Sequence, residues 1–174
     1  MVTRRKEIHP STPFLYLRDY EDLSLTFSTT VAFYWINEAV NTSDFKYVVG
    51  KRNIFVLTPG FYEIIYEMTC YLYSGDLDYV YFYLLKNDVL IPGSYTYITL
   101  NGSANAQQPS SITCHVYVYC DRNDKIVLQG TPVGTSGVVY TKPSCGRLMI
   151  KFMAQHGWNN SAGGAKSYIG GVMR

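Results

Sequence analysis

Phe61-Tyr62-Glu63-Ile64-Ile65-Tyr66-Glu67-Met68-Thr69-Cys70-Tyr71-Leu72-Tyr73 is the stretch that decides the fold. Ile64, Tyr66, Met68, Cys70 and Leu72 recur at every second position, which places them on one face of an extended chain and leaves Glu63 and Glu67 on the other. The same two-residue period continues outward. Val80, Phe82 and Leu84 alternate with Tyr79, Tyr81 and Tyr83, and Ile112, Cys114, Val116, Val118 and Cys120 alternate with His115, Tyr117 and Tyr119. Strands are predicted over Leu23–Phe33, Ile54–Leu57, Phe61–Tyr73, Tyr79–Leu85, Tyr95–Leu100, Ile112–Tyr119, Lys125–Gly130, Gly137–Thr141 and Arg147–Met153. Between them lie turn-forming runs such as Thr58-Pro59-Gly60, Ser74-Gly75-Asp76, Lys86-Asn87-Asp88, Ile91-Pro92-Gly93-Ser94 and Asp121-Arg122-Asn123-Asp124. A weak helical period over Val31–Val40 does not outweigh this pattern. Nine short, evenly punctuated strands without βαβ spacing predict an all-β chain, a jelly-roll β-sandwich of two antiparallel sheets.

The chain has 174 residues, one ordinary domain. At that size it buries about 70% of its unfolded surface, enough for a core without disulfide or metal staples. Its 47% hydrophobic content and net charge of +2 exclude a disordered polymer. No apolar run is long enough for a membrane-spanning helix. The start, Met1 to Pro10, is basic but has no apolar stretch behind it, so no secretory signal is read there and synthesis in a cytosol is expected. Residues 1–22 read as an N-terminal arm, 23–153 as the sandwich, and 154–174 as a flexible tail or an extra edge strand.

Cys70, Cys114, Cys120 and Cys145 are even in number, but the first three fall in register with apolar strand faces. They are predicted to be buried free thiols packed as small hydrophobes. A Cys114–Cys120 bridge within one strand would have to close about 20 Å.

The search for catalytic chemistry finds little. Glu63 and Glu67 share a face about 13 Å apart, wider than the carboxylate pairs of glycoside hydrolysis, and read as solvent-facing charges. His115 points away from Cys114, so the two cannot ligate one metal. No zinc, P-loop, dinucleotide or nucleophile-elbow motif occurs. A non-enzymatic protein without cofactor or metal is expected. Three Asn-x-Ser sequons, at Asn41, Asn101 and Asn159, carry little weight without a secretory signal.

Tyrosine is the compositional outlier, with 17 residues. Tyr79, Tyr81 and Tyr83, and likewise Tyr117 and Tyr119, make the second face of their strands aromatic where a solvated face should be polar. Tyrosine supplies large contact area at low entropy cost, so these five are the predicted subunit-interface residues. Arg4, Arg5 and Lys6 form a short basic cluster in the arm and are the candidate nucleic-acid contacts.

Pro59-Gly60-Phe61-Tyr62, the run Tyr81 to Ser94 ending in Ile91-Pro92-Gly93-Ser94, Asp124-Lys125-Ile126-Val127-Leu128-Gln129 and Gly146-Arg147-Leu148-Met149-Ile150-Lys151-Phe152 resemble the C1q/TNF-like jelly-roll family over Leu23–Met153. The resemblance implies threefold homo-oligomers built through aromatic and aliphatic sheet faces. The single jelly roll with a basic arm is also similar in architecture to the shell proteins of small icosahedral viruses. The expected function is therefore a self-assembling structural subunit, in the first place a viral capsid protein residing in the virion and packaging nucleic acid. The alternative is a C1q/TNF-like homotrimeric binding module at a cell or spore surface or secreted as a ligand. In both the chief partner is a second copy of the chain, with no membrane insertion.

Overall fold

The computed structural model describes residues 12–19, 24–26, 29–32, 40–41, 44–47, 52–100, 109–141 and 146–154. Over these it is all-β. Twelve strands follow in order: β1 Phe14–Asp19, β2 Ser24–Thr26, β3 Val31–Ala32, β4 Val40–Asn41, β5 Phe45–Tyr47, β6 Ile54–Val56, β7 Gly60–Lys86, β8 Val89–Leu90, β9 Thr96–Thr99, β10 Ser110–Cys120, β11 Lys125–Thr141 and β12 Gly146–Ala154. Every pairing is antiparallel.

β7 is the spine. Its first half pairs with β12 on one side and β10 on the other, and β1 and β4 extend that layer beyond β12. Its second half pairs with β11 and β9, and β2, β3 and β6 line the far side of β11. Because β7 and β11 pass through both layers, the hydrogen-bonded ladder is continuous around the sandwich.

The alternation read from the sequence decides what fills the space between the layers. Tyr62, Ile64, Tyr66 and Met68 enter from one half of β7, and Val80, Phe82 and Leu84 from the other, all fully buried in one core. Tyr66 crosses that core. Its hydroxyl lies 3.0 Å from the Phe82 carbonyl, 2.7 Å from the Ser94 carbonyl and 2.6 Å from Thr96 Oγ1. Burial pushes its pKa well above the ordinary tyrosine value, so it remains a neutral hydrogen-bonding group.

Ile91-Pro92-Gly93-Ser94 is built as its composition requires. Pro92 fixes its φ, Gly93 takes a φ of 79°, and the Ser94 amide donates to the Ile91 carbonyl at 3.1 Å, the features of a type II turn. Ser94 is thereby buried, and its Oγ accepts from the Leu84 amide at 3.0 Å, standing in for a strand partner.

Four sequence expectations are corrected. Phe61–Tyr73 and Tyr79–Leu85 are one strand, and so are Lys125–Gly130 and Gly137–Thr141. Gly75 and Gly137, at φ 88° and 129°, sit back to back, so the paired strands bend together without breaking. Conversely, Leu23–Phe33 is not one strand: the Thr29 amide turns back to the Thr26 carbonyl, separating β2 from β3. Residues 14–19, placed in the arm by sequence, are β1; its Leu15 and Leu17 are fully buried and it pairs along β12. The remaining arm residues 1–11 and the tail 155–174 lie outside the described residues, as do 33–39 of the weak helical period.

Candidate functional site

The layer made by β1, β12, the first half of β7 and β10 turns its second face outward, and pairing register arranges that face in rows. Tyr16, Met149, Ile65 and His115 lie side by side across four strands. One row further, Arg18, Arg147, Glu67 and Thr113 align, and on the other side Phe14, Lys151, Glu63 and Tyr117. The Phe61 and Tyr119 rings close the end in an edge-to-face contact at 5.2 Å. An aromatic and aliphatic band thus runs between two charged rows. Tyr16, Ile65, Glu67, Thr113, Arg147 and Met149 line a depression of about 200 Å³ in it.

Electrostatics on this face are internally paired. Glu63, its side chain only 14% exposed, has His115 Nε2 at 2.8 Å and Lys151 Nζ at 3.7 Å, and accepts from the Tyr117 hydroxyl at 3.3 Å. Arg147 meets Glu67 at 3.5 Å, and the Arg18 guanidinium lies 5.4 Å from the Tyr16 ring centroid. Desolvation first, then the Glu63 charge, push the Tyr117 pKa upward, so the phenol stays neutral. The expectation that Glu63 is a freely solvated charge is therefore corrected: three side chains from two neighbouring strands converge on it. Tyr117 itself is 60% exposed.

Tyr79, Tyr81 and Tyr83 lie on the opposite outward face, since the second half of β7 points Val80, Phe82 and Leu84 into the core. The five predicted interface tyrosines are thus not one surface. Two stand on the β10 side and three on the β9 side, joined there by Tyr95 and Tyr97. Those five rings form a ladder: Tyr79–Tyr81 centroids are 4.7 Å apart, Tyr81–Tyr95 4.4 Å and Tyr83–Tyr95 6.0 Å with nearly parallel planes. Beside them an open cleft of about 460 Å³ is lined by Thr30, Tyr81, Tyr83, Leu90, Tyr95, Thr131 and Val133. Sequence reading missed Tyr95 and Tyr97 as members. Their spacing around Thr96 in a predicted strand was the available signal, but only the β7–β9 register, which sets Tyr97 opposite Tyr81, and the packing of the Tyr95 ring on Tyr81 show that they meet it.

Cys70, Cys114 and Cys120 are free and buried. Burial raises the Cys70 and Cys120 thiols to about 12. Cys145 and the basic residues Arg4, Arg5 and Lys6 lie outside the described residues. Among the described residues no three His, Cys, Asp or Glu side chains are grouped to hold a metal, and no helix is long and apolar enough to cross a membrane.

Two layers of antiparallel strands sharing a long central strand form a jelly-roll sandwich, and comparison with solved structures shows its fold to be TNF/C1q-like. The Eiger TNF of S. frugiperda superposes with a TM-score of 0.61 at 10% identity, covering 92% of this chain and all of that one. The globular domain of zebrafish complement 1qA gives 0.54 at 12% identity, covering 83% of this chain and 99% of that one. Murine APRIL gives 0.57 at 9% identity, covering 82% and 100%. No protein-family model and no curated protein matches the sequence. At these identities the likeness is one of fold.

Proposed function

We propose that this chain is a non-enzymatic, self-assembling subunit whose working unit is a homo-oligomer with threefold contacts, formed through the outward face of β1, β12, β7 and β10. The carrying observation is the band of Tyr16, Met149 and Ile65, with Phe61, Tyr117 and Tyr119 beside it, on a sheet face where solvation alone would favour polar residues. The internal pairing of Glu63 and Glu67 supports the same reading, because charges already partnered cost less to desolvate at a contact. The TNF/C1q-like fold, with its resemblance-based expectation of threefold association, adds to it.

A ring of three joins two different patches of each subunit at an angle, and the outward face of this layer with its flanking strand edge can supply such a pair. Two patches on opposite sides of a sandwich, if they bound each other, would stack copies into an open filament, whereas a closed ring of three needs contacts angled toward a common axis. Tyr117 and Tyr119 are accordingly assigned to the subunit contact.

A more specific reading makes the oligomer a building block of a small icosahedral virus shell, with Arg4, Arg5 and Lys6 touching packaged nucleic acid. The basic cluster and the jelly-roll architecture support it; the alternative is a trimeric binding module at a cell or spore surface or in secretion. Light scattering after size-exclusion chromatography separates these. Three chain masses support the trimeric module, megadalton particles with salt-sensitive nucleic acid support the shell, and a monomer at high concentration refutes both.

A further inference from the structure

We propose that the cleft between Tyr95, Tyr83 and Thr131, on the face opposite the proposed subunit contact, binds a neutral saccharide. Its size comes first. About 460 Å³ falls within the range of small-molecule sites.

The chemistry of the walls then selects the ligand. Among the described residues lining the cleft none is a carboxylate, amine, guanidinium or imidazole, so nothing there neutralises an ionic ligand. What the walls offer is ring faces and hydroxyls. Tyr95 packs its inner side on Tyr81 and runs nearly parallel to Tyr83 at 6.0 Å, which fixes its plane and leaves it half exposed as a platform. Opposite it, Thr30 and Thr131 share a hydrogen bond at 2.9 Å, and Tyr83 Oη lies 3.5 Å from Thr131 Oγ1, giving three hydroxyls in a row.

A pyranose has the matching duality, an apolar C–H face and a rim of hydroxyls that both donate and accept. Hydroxyl-bearing walls suit it because each O–H rotates to serve as donor or acceptor. Among the described residues lining the cleft there is no carboxylate to pair with a cation. An extended proline-rich peptide uses aromatic grooves too, but offers only carbonyl acceptors to the hydroxyl row.

The test uses the full chain with cellotetraose, maltotetraose, a mannose tetrasaccharide and a galactose tetrasaccharide as neutral probes, a sialylated trisaccharide as the charged probe, and a polyproline decapeptide. Saturation-transfer NMR and calorimetry read binding. At least one neutral tetrasaccharide should bind with a Kd of about 0.1–1 mM, with transfer strongest to its ring C–H protons. Tyr95→Ala should weaken it about tenfold and Thr131→Val severalfold, whereas Tyr97→Ala, outside the cleft, should leave it within about twofold. Circular dichroism confirms that each variant is folded. The proposal is overturned if no neutral probe binds at about 10 mM, if Tyr95→Ala binds as the parent does, or if only the charged probe or the polyproline peptide binds. Oligomer mass, read separately, reports on the other face.

Discussion

Ile65→Glu is the substitution that most sharply probes the proposed subunit contact. Ile65 sits in the middle of the aromatic band, between Met149 and His115, at the edge of the 200 Å³ depression, and its side chain is half-buried in the isolated chain. Some 40 Å² of apolar surface left to be covered contributes about 1 kcal/mol per contact at 25 cal/mol per Å². A carboxylate there also has to be desolvated beside Glu63 and Glu67 on the same face, for which about 2 kcal/mol is a modest allowance. At about 3 kcal/mol for each of three contacts the trimer loses about 9 kcal/mol, six to seven decades in its association constant. Because trimer formation depends on the square of free-chain concentration, half-assembly moves up about a thousandfold. Sedimentation velocity between about 1 and 100 μM should therefore show the parent as oligomer and the variant as monomer. The folded monomer should lose less than about 1 kcal/mol, since position 65 points outward and high dielectric weakens the added repulsion. If the variant keeps the parent's mass at 10 μM while Tyr97→Glu on the other face dissociates it, the contact has been placed on the wrong side of the sandwich.

Three further outcomes are expected. Tyr66→Phe should cost about 1–3 kcal/mol in chemical denaturation, because the Phe82 and Ser94 carbonyls lose the hydroxyl that serves them across the core; a neutral result would show that the layers do not depend on that link. Asp124→Asn should cost about 1 kcal/mol near neutral pH, where burial pushes the Asp124 pKa up but bonds from Asn87, the Asp121 amide and Lys86 outweigh it and hold the carboxyl below the usual range. A depressed pKa contributes stability above the unfolded-state value and loses it as pH falls through the folded-state value, so parent and variant melting curves should converge on acidification; constant separation would contradict this. Cys70, Cys114 and Cys120 should resist a thiol reagent until denaturant is added, and rapid native labelling of any of them would mean that its strand opens locally.

What sequence could reveal here followed from periodicity. The buried faces of β7 and β10 were legible because alternation depends only on neighbours in the chain, and the Ile91 to Ser94 turn because Pro and Gly act locally. β1 was not legible: six residues between prolines and acidic residues look like an arm until β12 pairs with them. The continuity of β7 was also hidden, because Ser74-Gly75-Asp76 has the composition of a reversal, and only the opposing Gly137, 62 positions away, turns it into a bend. The tyrosine outlier was visible, yet its division between two faces depends on where the spine passes from one layer to the other. Likewise Glu63 could be placed on a face but not given its partners, which come from β10 and β12.

That Gly75–Gly137 crossing joins β7 to a strand that is made long after it. A Cβ on Gly137 would lie 2.1 Å from the Ser74 carbonyl oxygen, and one on Gly75 would lie 2.3 Å from the Gly137 Cα, so β7 and β11 must come together with both glycines in place. On a ribosome, the 27 residues of β7 emerge long before β10, β11 and β12 exist to cover them. Until then a tyrosine-rich segment with unpaired backbone is exposed on the nascent chain, a species prone to pair with its own copies. Nearly all its partners are distant in sequence, so folding is slow once the chain is complete. Yield in the cell should depend on translation speed and on holding chaperones more than on the melting temperature of the finished sandwich.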